Sequence, residues 1–96
     1  MNNFTPKEKE LYKRIDEVVH YLWDPICVAY APAARDEYRM YIPEIFQKTV
    51  DGADKSELAS YLDYIRVERM CLPANYKQDE LVASALLEWR DYIQHL

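Results

Sequence analysis

A single glycine, Gly52, in 96 residues is the feature that most narrows what this chain can fold into. Sheets joined by tight hairpins use glycine at positive φ in their turns, so its near absence argues for helices. The apolar pattern agrees. Leu11, Ile15, Val18, Val19, Leu22 and Trp23 recur at helical spacing, and no segment sustains the period-two alternation of a half-buried strand.

Start and stop signals divide the chain. Thr5-Pro6-Lys7-Glu8 combines an N-cap, a proline in the first turn and a capping-box glutamate, which predicts a helix from there to about Trp23. The residue before a proline is driven out of the helical region, so Asp24-Pro25 ends it. The same pair also reads as an N-cap and first-turn proline that open a further helical turn. In the stretch Trp23-Asp24-Pro25-Ile26-Cys27, a structural corner is favoured over a chemical site: Trp23 on the apolar face, Asp24 accepting backbone N–H groups, Pro25 fixing the exit.

A second helix is expected over about 33–51, with Tyr38, Tyr41, Ile42, Ile45, Phe46 and Thr49 on one stripe. The apolar phase continues across Pro43, which predicts one helix kinked there, or two short helices split there. Gly52 stands where a C-cap glycine belongs. Asp54-Lys55-Ser56-Glu57 caps a third helix whose inner face is Leu58, Tyr61, Leu62 and Ile65 and which ends before Pro73. Asn75 caps a fourth, whose face is read as Leu81, Val82, Ala85, Leu86, Trp89, Tyr92 and Ile93. The expectation is one domain over 1–96: an all-α compact bundle of four main helices, neighbours antiparallel, with a radius of gyration of roughly 12–13 Å.

Charge and composition exclude several functions. The formal net charge is −5, and residues 16–63 hold ten acids against four bases. Such a surface repels phosphates, so no nucleic-acid partner is expected; it would steer a basic protein instead. No apolar run approaches the length of a membrane span, and MNNFTPKEKE lacks the apolar stretch of a signal peptide. A cytoplasmic location with two reduced thiols follows as the expectation.

The tests for chemistry are negative. Glu17 and His20 match one Glu-x-x-His element of a di-metal bundle, but no second copy exists, and a 100° wheel turns the pair outward as solvated residues. Cys27 and Cys71 have no CxxC spacing and are expected buried and inert. Asp16-Glu17 and Asp36-Glu37 are neighbours in sequence and diverge on a helix, which makes them surface charges. There is no phosphate loop and no patterned nucleophile, so no enzyme, no cofactor and no metal are expected. Arg35 and Arg69 fall toward apolar faces, where an arginine needs a carboxylate. A pairing of Arg35 or Arg69 with Asp24 or Glu37, securing the corner, is the structural expectation.

What remains is an interaction surface. Nine tyrosines are many for this length, and Tyr21, Tyr64, Met40 and Leu87 fall off the apolar stripes. Asp51, Asp54, Glu57 and Asp63 form the expected acidic patch, with Tyr21 and Tyr64 as anchors for a basic partner. An adaptor for another partner, a homodimer through the Met40/Leu87 surface, and a metal-binding accessory role for His20 and Cys27 are the alternatives.

The run Tyr21-Leu22-Trp23-Asp24-Pro25-Ile26, then Ala34-Arg35-Asp36-Glu37-Tyr38 with Tyr41 and Pro43, then Tyr61-Leu62 and Glu68-Arg69-Met70 with Leu72-Pro73, resembles a widespread family of small helical bacterial proteins. The resemblance covers roughly residues 15–75. The pattern often has glycine where this chain has Cys27, Cys71 and Ala74, a departure that bears on the turns there. The family carries no catalytic assignment. Its small acidic members look similar to immunity proteins of bacterial toxin systems, which implies a partner that is a toxin domain with a basic, nuclease-type cleft.

Overall fold

The computed structural model describes residues 4–28 and 31–96, with only the backbone of Pro32. The chain is an all-α bundle, and no strand forms among the described residues. The helices are α1 (Pro6–Glu17), α2 (Ile42–Val50), α3 (Lys55–Tyr64) and α4 (Tyr76–Gln94). The Cα radius of gyration is 12.9 Å, as expected for a compact chain of this length.

The helix starts are those the sequence signals. Thr5 and Glu8 form a reciprocal capping box, as do Asp54 and Glu57, and the Asn75 side chain accepts from the Gln78 N–H. Gly52, at φ 96°, follows α2 in a Schellman turn. Its N–H donates to the Thr49 carbonyl (3.3 Å) and the Ala53 N–H to the Lys48 carbonyl (3.0 Å).

α1 and α3 each run on into a π-helical segment, Val18–Trp23 and Ile65–Arg69. Their i→i−5 bonds, Asp24 N–H to Val19 O (3.0 Å) and Met70 N–H to Ile65 O (2.9 Å), fit an extra residue into the turn. That changes which side chains face inward. A 100° wheel puts His20 outside and Leu22 inside; in the fold His20 is 2% exposed and Leu22 is exposed. The His20 ring packs on Tyr21 and Tyr38, and its Nδ1 has no hydrogen-bond partner among the described residues.

The corner after the first π segment is structural, but it is not a new helix. Asp24 sits at φ 36°, in the left-handed region, rather than in the extended conformation of an N-cap. Its Oδ1 accepts from the Val28 N–H (2.7 Å) and from the Tyr38 hydroxyl (2.7 Å), and that hydroxyl accepts from the Ile26 N–H (3.0 Å). Pro25, half-buried, follows in the turn that the Cys27 N–H to Asp24 O bond closes (3.1 Å).

The second helix is shorter than its apolar stripe implies. Two 3₁₀ turns, Pro32–Ala34 and Arg39–Tyr41, and a chain of i→i−3 bonds occupy 31–41. The helix starts only at Ile42, with Pro43 in its first turn, where a missing N–H costs nothing. Of the two expected outcomes at Pro43, the chain therefore splits rather than kinks. Tyr38 is buried and holds the 3₁₀ stretch to the corner through Asp24.

Contacts fix the packing directions. Lys7 Nζ donates to Gln94 O (3.4 Å), the Arg14 guanidinium lies 5.4 Å over the Trp89 ring, and Gln78 Nε2 donates to Leu22 O (2.6 Å). Numbers rise on one helix as they fall on the other, so α1 and α4 are antiparallel. The core is built from Leu11, Ile15, Val18 and Val19, from Ile42, Ile45 and Phe46, from Leu58, Ala59 and Leu62, and from Val82, Ala83, Leu86 and Ile93. Each fully buried aliphatic side chain among them is worth about 1.5–3 kcal/mol.

α4 departs from expectation on its exposed side. Leu81 and Tyr92, read as part of its inner face, are 54% and 61% exposed. The helix carries two apolar stripes. The one centred on Val82, Ala83, Leu86 and Ile93 meets the core, and the one running Leu81, Ala85, Trp89 and Tyr92 is turned further outward, with the Trp89 ring under the Arg14 guanidinium of α1.

Three further expectations are corrected. Arg35 pairs with Asp16 (2.9 Å) and lies 5.5 Å over the Tyr21 ring; neither Asp24 nor Glu37 is its partner. Glu37 and Arg69 are exposed, and Arg69 makes no ion pair among the described residues. Cys27 and Cys71 are exposed, not buried, and occupy the left-handed region at φ 59° and 57°. Both end turns that need positive φ, so thiols stand where glycine would be unstrained. Leu87, expected outside, is half-buried against the core, whereas Met40 is exposed.

Candidate functional site: the exposed face of α2 and α3

The Schellman turn at Gly52 leads directly into the Asp54 N-cap, so Asp51, Asp54 and Glu57 project together from the α2–α3 corner. Arg90 fixes that corner to α4, its Nη1 donating to Thr49 O (3.3 Å) and Ala53 O (3.2 Å). Glu57, Tyr61 and Tyr64 follow at i, i+4 and i+7 and share one stripe of α3. The Tyr61 and Tyr64 rings stack at 6.1 Å, and Lys48 Nζ of α2 sits 4.7 Å over Tyr61. The Tyr61 hydroxyl is pushed above the ordinary tyrosine value, mainly by burial and then by the charge of Glu44.

Four of the six expected contact residues thus converge: Asp51, Asp54, Glu57 and Tyr64, all exposed. Two do not. Asp63 is half-buried and lies about 120° round α3 from Glu57. Tyr21 stands at the other end of the bundle: Leu22, next to it, meets Gln78 near the start of α4, whereas the Asp54 corner meets Arg90 near its end. Glu44 and Tyr61 also belong to this face: Tyr61, expected on the inner face of α3, is half-buried with its ring against Tyr64 and Lys48, and Glu44 has no place in the sequence reading. The signal was present, since Tyr61 and Tyr64 are four and seven residues beyond Glu57.

The carboxylates of this face make no ion pair among the described residues, a property they share with Glu8, Glu37, Glu68, Glu80 and Glu88; what sets them apart is their clustering. Elsewhere, arginines hold Glu10, Asp16, Glu17, Asp36, Asp79 and Asp91 within ion-pair distance. No such pair reaches Glu44, Asp51, Asp54, Glu57 or Asp63 among the described residues. Asp54 and Glu57 are spent only on backbone N–H groups: Asp54 Oδ1 accepts from Glu57 N (2.8 Å) and Glu57 Oε1 from Asp54 N (3.3 Å). Residues 42–64 hold five carboxylates against Lys48 and Lys55, a net −3.

The other functional reading, metal chemistry at His20 and Cys27, divides an inward ring from an outward thiol. No group of three or more His, Cys, Asp or Glu among the described residues is placed to hold a metal ion. No helix among them is long and apolar enough to cross a membrane. Comparison with known protein families, with curated proteins and with solved structures finds no match to this chain.

Proposed function

We propose that this chain is a non-catalytic protein-binding module of the immunity type, acting in the cytoplasm. It binds and neutralises a toxin domain with a basic, nuclease-type cleft through the α2–α3 face. The observation that carries this reading is the clustering of Glu44, Asp51, Asp54 and Glu57 on one face, where residues 42–64 are net −3 and none of these four is in an ion pair among the described residues. Uncompensated charge on one face speeds encounter with an oppositely charged partner, while Tyr64 and Tyr61 supply aromatic contact that slows dissociation. The resemblance of the Trp-Asp-Pro-Ile and Ala-Arg-Asp-Glu-Tyr segments to small acidic bacterial proteins supports the same assignment.

The test uses a variant that removes charge while keeping the caps. Asn serves as an N-cap and Gln as the third capping-box residue, so Asp51→Asn/Asp54→Asn/Glu57→Gln retains the helix start. Tagged wild type is expected to capture from lysate of its source organism a basic protein that is toxic when expressed alone and harmless with this chain. The triple variant is expected to lose it. An acidic or neutral partner, or full retention by the triple variant, would overturn the proposal.

A further inference from the structure

We propose that the cavity between α1 and the start of α2 binds a small zwitterion of the α-amino-acid class. The cavity, of about 300 Å³, is lined by Tyr12 and Asp16 from α1, by Arg39 from the 3₁₀ turn and by Ile42, the first residue of α2. Tyr12 and Asp16 stand at i and i+4, one turn apart on the same side of α1. Ile42, 1% exposed, supplies an apolar wall.

Three polar groups at the cavity have bonding capacity to spare. Phe4 (5.8 Å) and Phe46 (5.2 Å) hold the ring of the half-buried Tyr12, yet its hydroxyl has no hydrogen-bond partner among the described residues. Burial and then the Asp16 carboxylate push that hydroxyl above the ordinary tyrosine value, while the Arg39 guanidinium pulls it down. Both charges therefore act on it, and it remains a donor at neutral pH. Asp16 accepts two bonds from Arg35 (3.3 and 2.9 Å), which occupy two of its roughly four lone-pair sites. Arg39 meets Asp36 through Nη2 (2.7 Å), in a pair whose side chains are 67% and 70% exposed. Such a pair is weak and re-partners readily, and the other guanidinium N–H groups are uncommitted among the described residues.

Charge selects the ligand. On the walls and paired to them, Asp16 and Asp36 cancel Arg35 and Arg39, so a lone cation or anion gains at one wall what it loses at the other. A molecule carrying both signs gains at both walls. Its ammonium meets Asp16, its carboxylate meets Arg39 and the Tyr12 hydroxyl, and an apolar side chain meets Ile42. The volume lies at the lower end for small-molecule sites, which suits a ligand of amino-acid size. The site uses none of the carboxylates or tyrosines of the α2–α3 face, and the inference stands without the toxin reading.

The probes are L-leucine and two matched monoions, 4-methylpentanoate without the ammonium and 3-methylbutylamine without the carboxylate. Each is titrated at neutral pH into the full chain, and amide NMR shifts report both place and affinity. Leucine is expected to bind saturably, shifting Tyr12, Asp16, Arg39 and Ile42, and each monoion to bind about tenfold or more weakly. Arg39→Gln is expected to weaken leucine by about tenfold and to leave 3-methylbutylamine unchanged, a split that loss of structure would not produce. Tyr12→Phe keeps the ring packing, removes the donor and is expected to weaken leucine and 4-methylpentanoate alike. Unaltered circular dichroism spectra confirm that both variants fold. Absence of saturable leucine binding, shifts centred on another face, a monoion that binds as tightly as leucine, or full leucine affinity in either variant would each overturn the inference.

Discussion

Arg66 and Asp79 form an ion pair of 2.9 Å with side chains only 7% and 0% exposed. The two π-helical segments deliver its partners: Arg66 comes from the second, and Trp23, closing the first, donates Nε1–H to the same Asp79 oxygen (2.8 Å). The guanidinium also lies 5.7 Å over the Trp23 ring. Asp79 in the first turns of α4 thereby ties the ends of α1 and α3 together, the role that Arg35 or Arg69 was expected to fill.

Removing one member of a buried pair leaves the other charged without compensation. Asp79→Ala is expected to destabilise the protein by about 3–5 kcal/mol, much of the total for a domain of this size. Urea unfolding checks it. The double variant Arg66→Met/Asp79→Leu is expected to recover most of that loss, because no charge remains buried.

Cys27 and Cys71 hold left-handed backbone that costs a side-chain-bearing residue about 1–2 kcal/mol. Cys27→Gly and Cys71→Gly are each expected to be neutral or to raise the unfolding midpoint, since the relief outweighs glycine's unfolded-state entropy. Cys71→Val, β-branched at the same φ, is expected to lower it. Thermal unfolding of the three variants under reducing conditions makes the comparison.

The Tyr38 hydroxyl is raised far above the ordinary tyrosine value, first by burial and then by its bond to Asp24. The folded value exceeds the unfolded value of about 10, so this stabilisation is complete below about pH 10 and is lost as pH rises through the folded value. Stability is expected to fall with alkaline pH above about 10. Tyr38→Phe is expected to be about 1–2 kcal/mol less stable at pH 8, having stranded the Ile26 N–H, yet to show a shallower alkaline slope. Tyr12 and Tyr61, shifted in the same direction mainly by burial, account for the slope that remains.

Asp54 has two roles that substitution separates. Asp54→Ala loses the cap and is expected to cost about 1 kcal/mol, whereas Asp54→Asn keeps it and is expected to be near neutral. Denaturant midpoints distinguish them, so weaker partner binding by the Asn variant reports charge and not unfolding.

The capping boxes at Thr5 and Asp54, the Asn75 cap and the Gly52 turn were legible because each is a local bargain between neighbouring residues. The buried ends were not, because π-helical turns arise where tertiary contacts draw Trp23 and Arg66 inward, and a 100° wheel fails beyond them. That is why such a wheel puts His20 outside and Leu22 inside, the reverse of the fold. Arg66 left a trace, lying four residues after Leu62 on the apolar phase of α3, as did Asp79 three before Val82. Two charges of opposite sign in apolar phase were a readable pair, obscured by Arg69, which falls four residues after Ile65. On α4 both apolar stripes fit a helix, and nothing within the helix says which one meets the core. The α2–α3 face was partly legible for the same reason: proximity in sequence placed Asp51, Asp54 and Glu57 together, while Tyr21 required knowing where α1 ends in space.

The most direct test of the acidic-face reading is the association rate of the captured partner with wild type and with Asp51→Asn/Asp54→Asn/Glu57→Gln, measured by surface plasmon resonance from low to moderate salt. Charge steering by this face predicts a wild-type rate that falls by about tenfold or more as salt rises, and a variant that associates slowly with little salt dependence. Identical rates and identical salt dependence in the two proteins would contradict it.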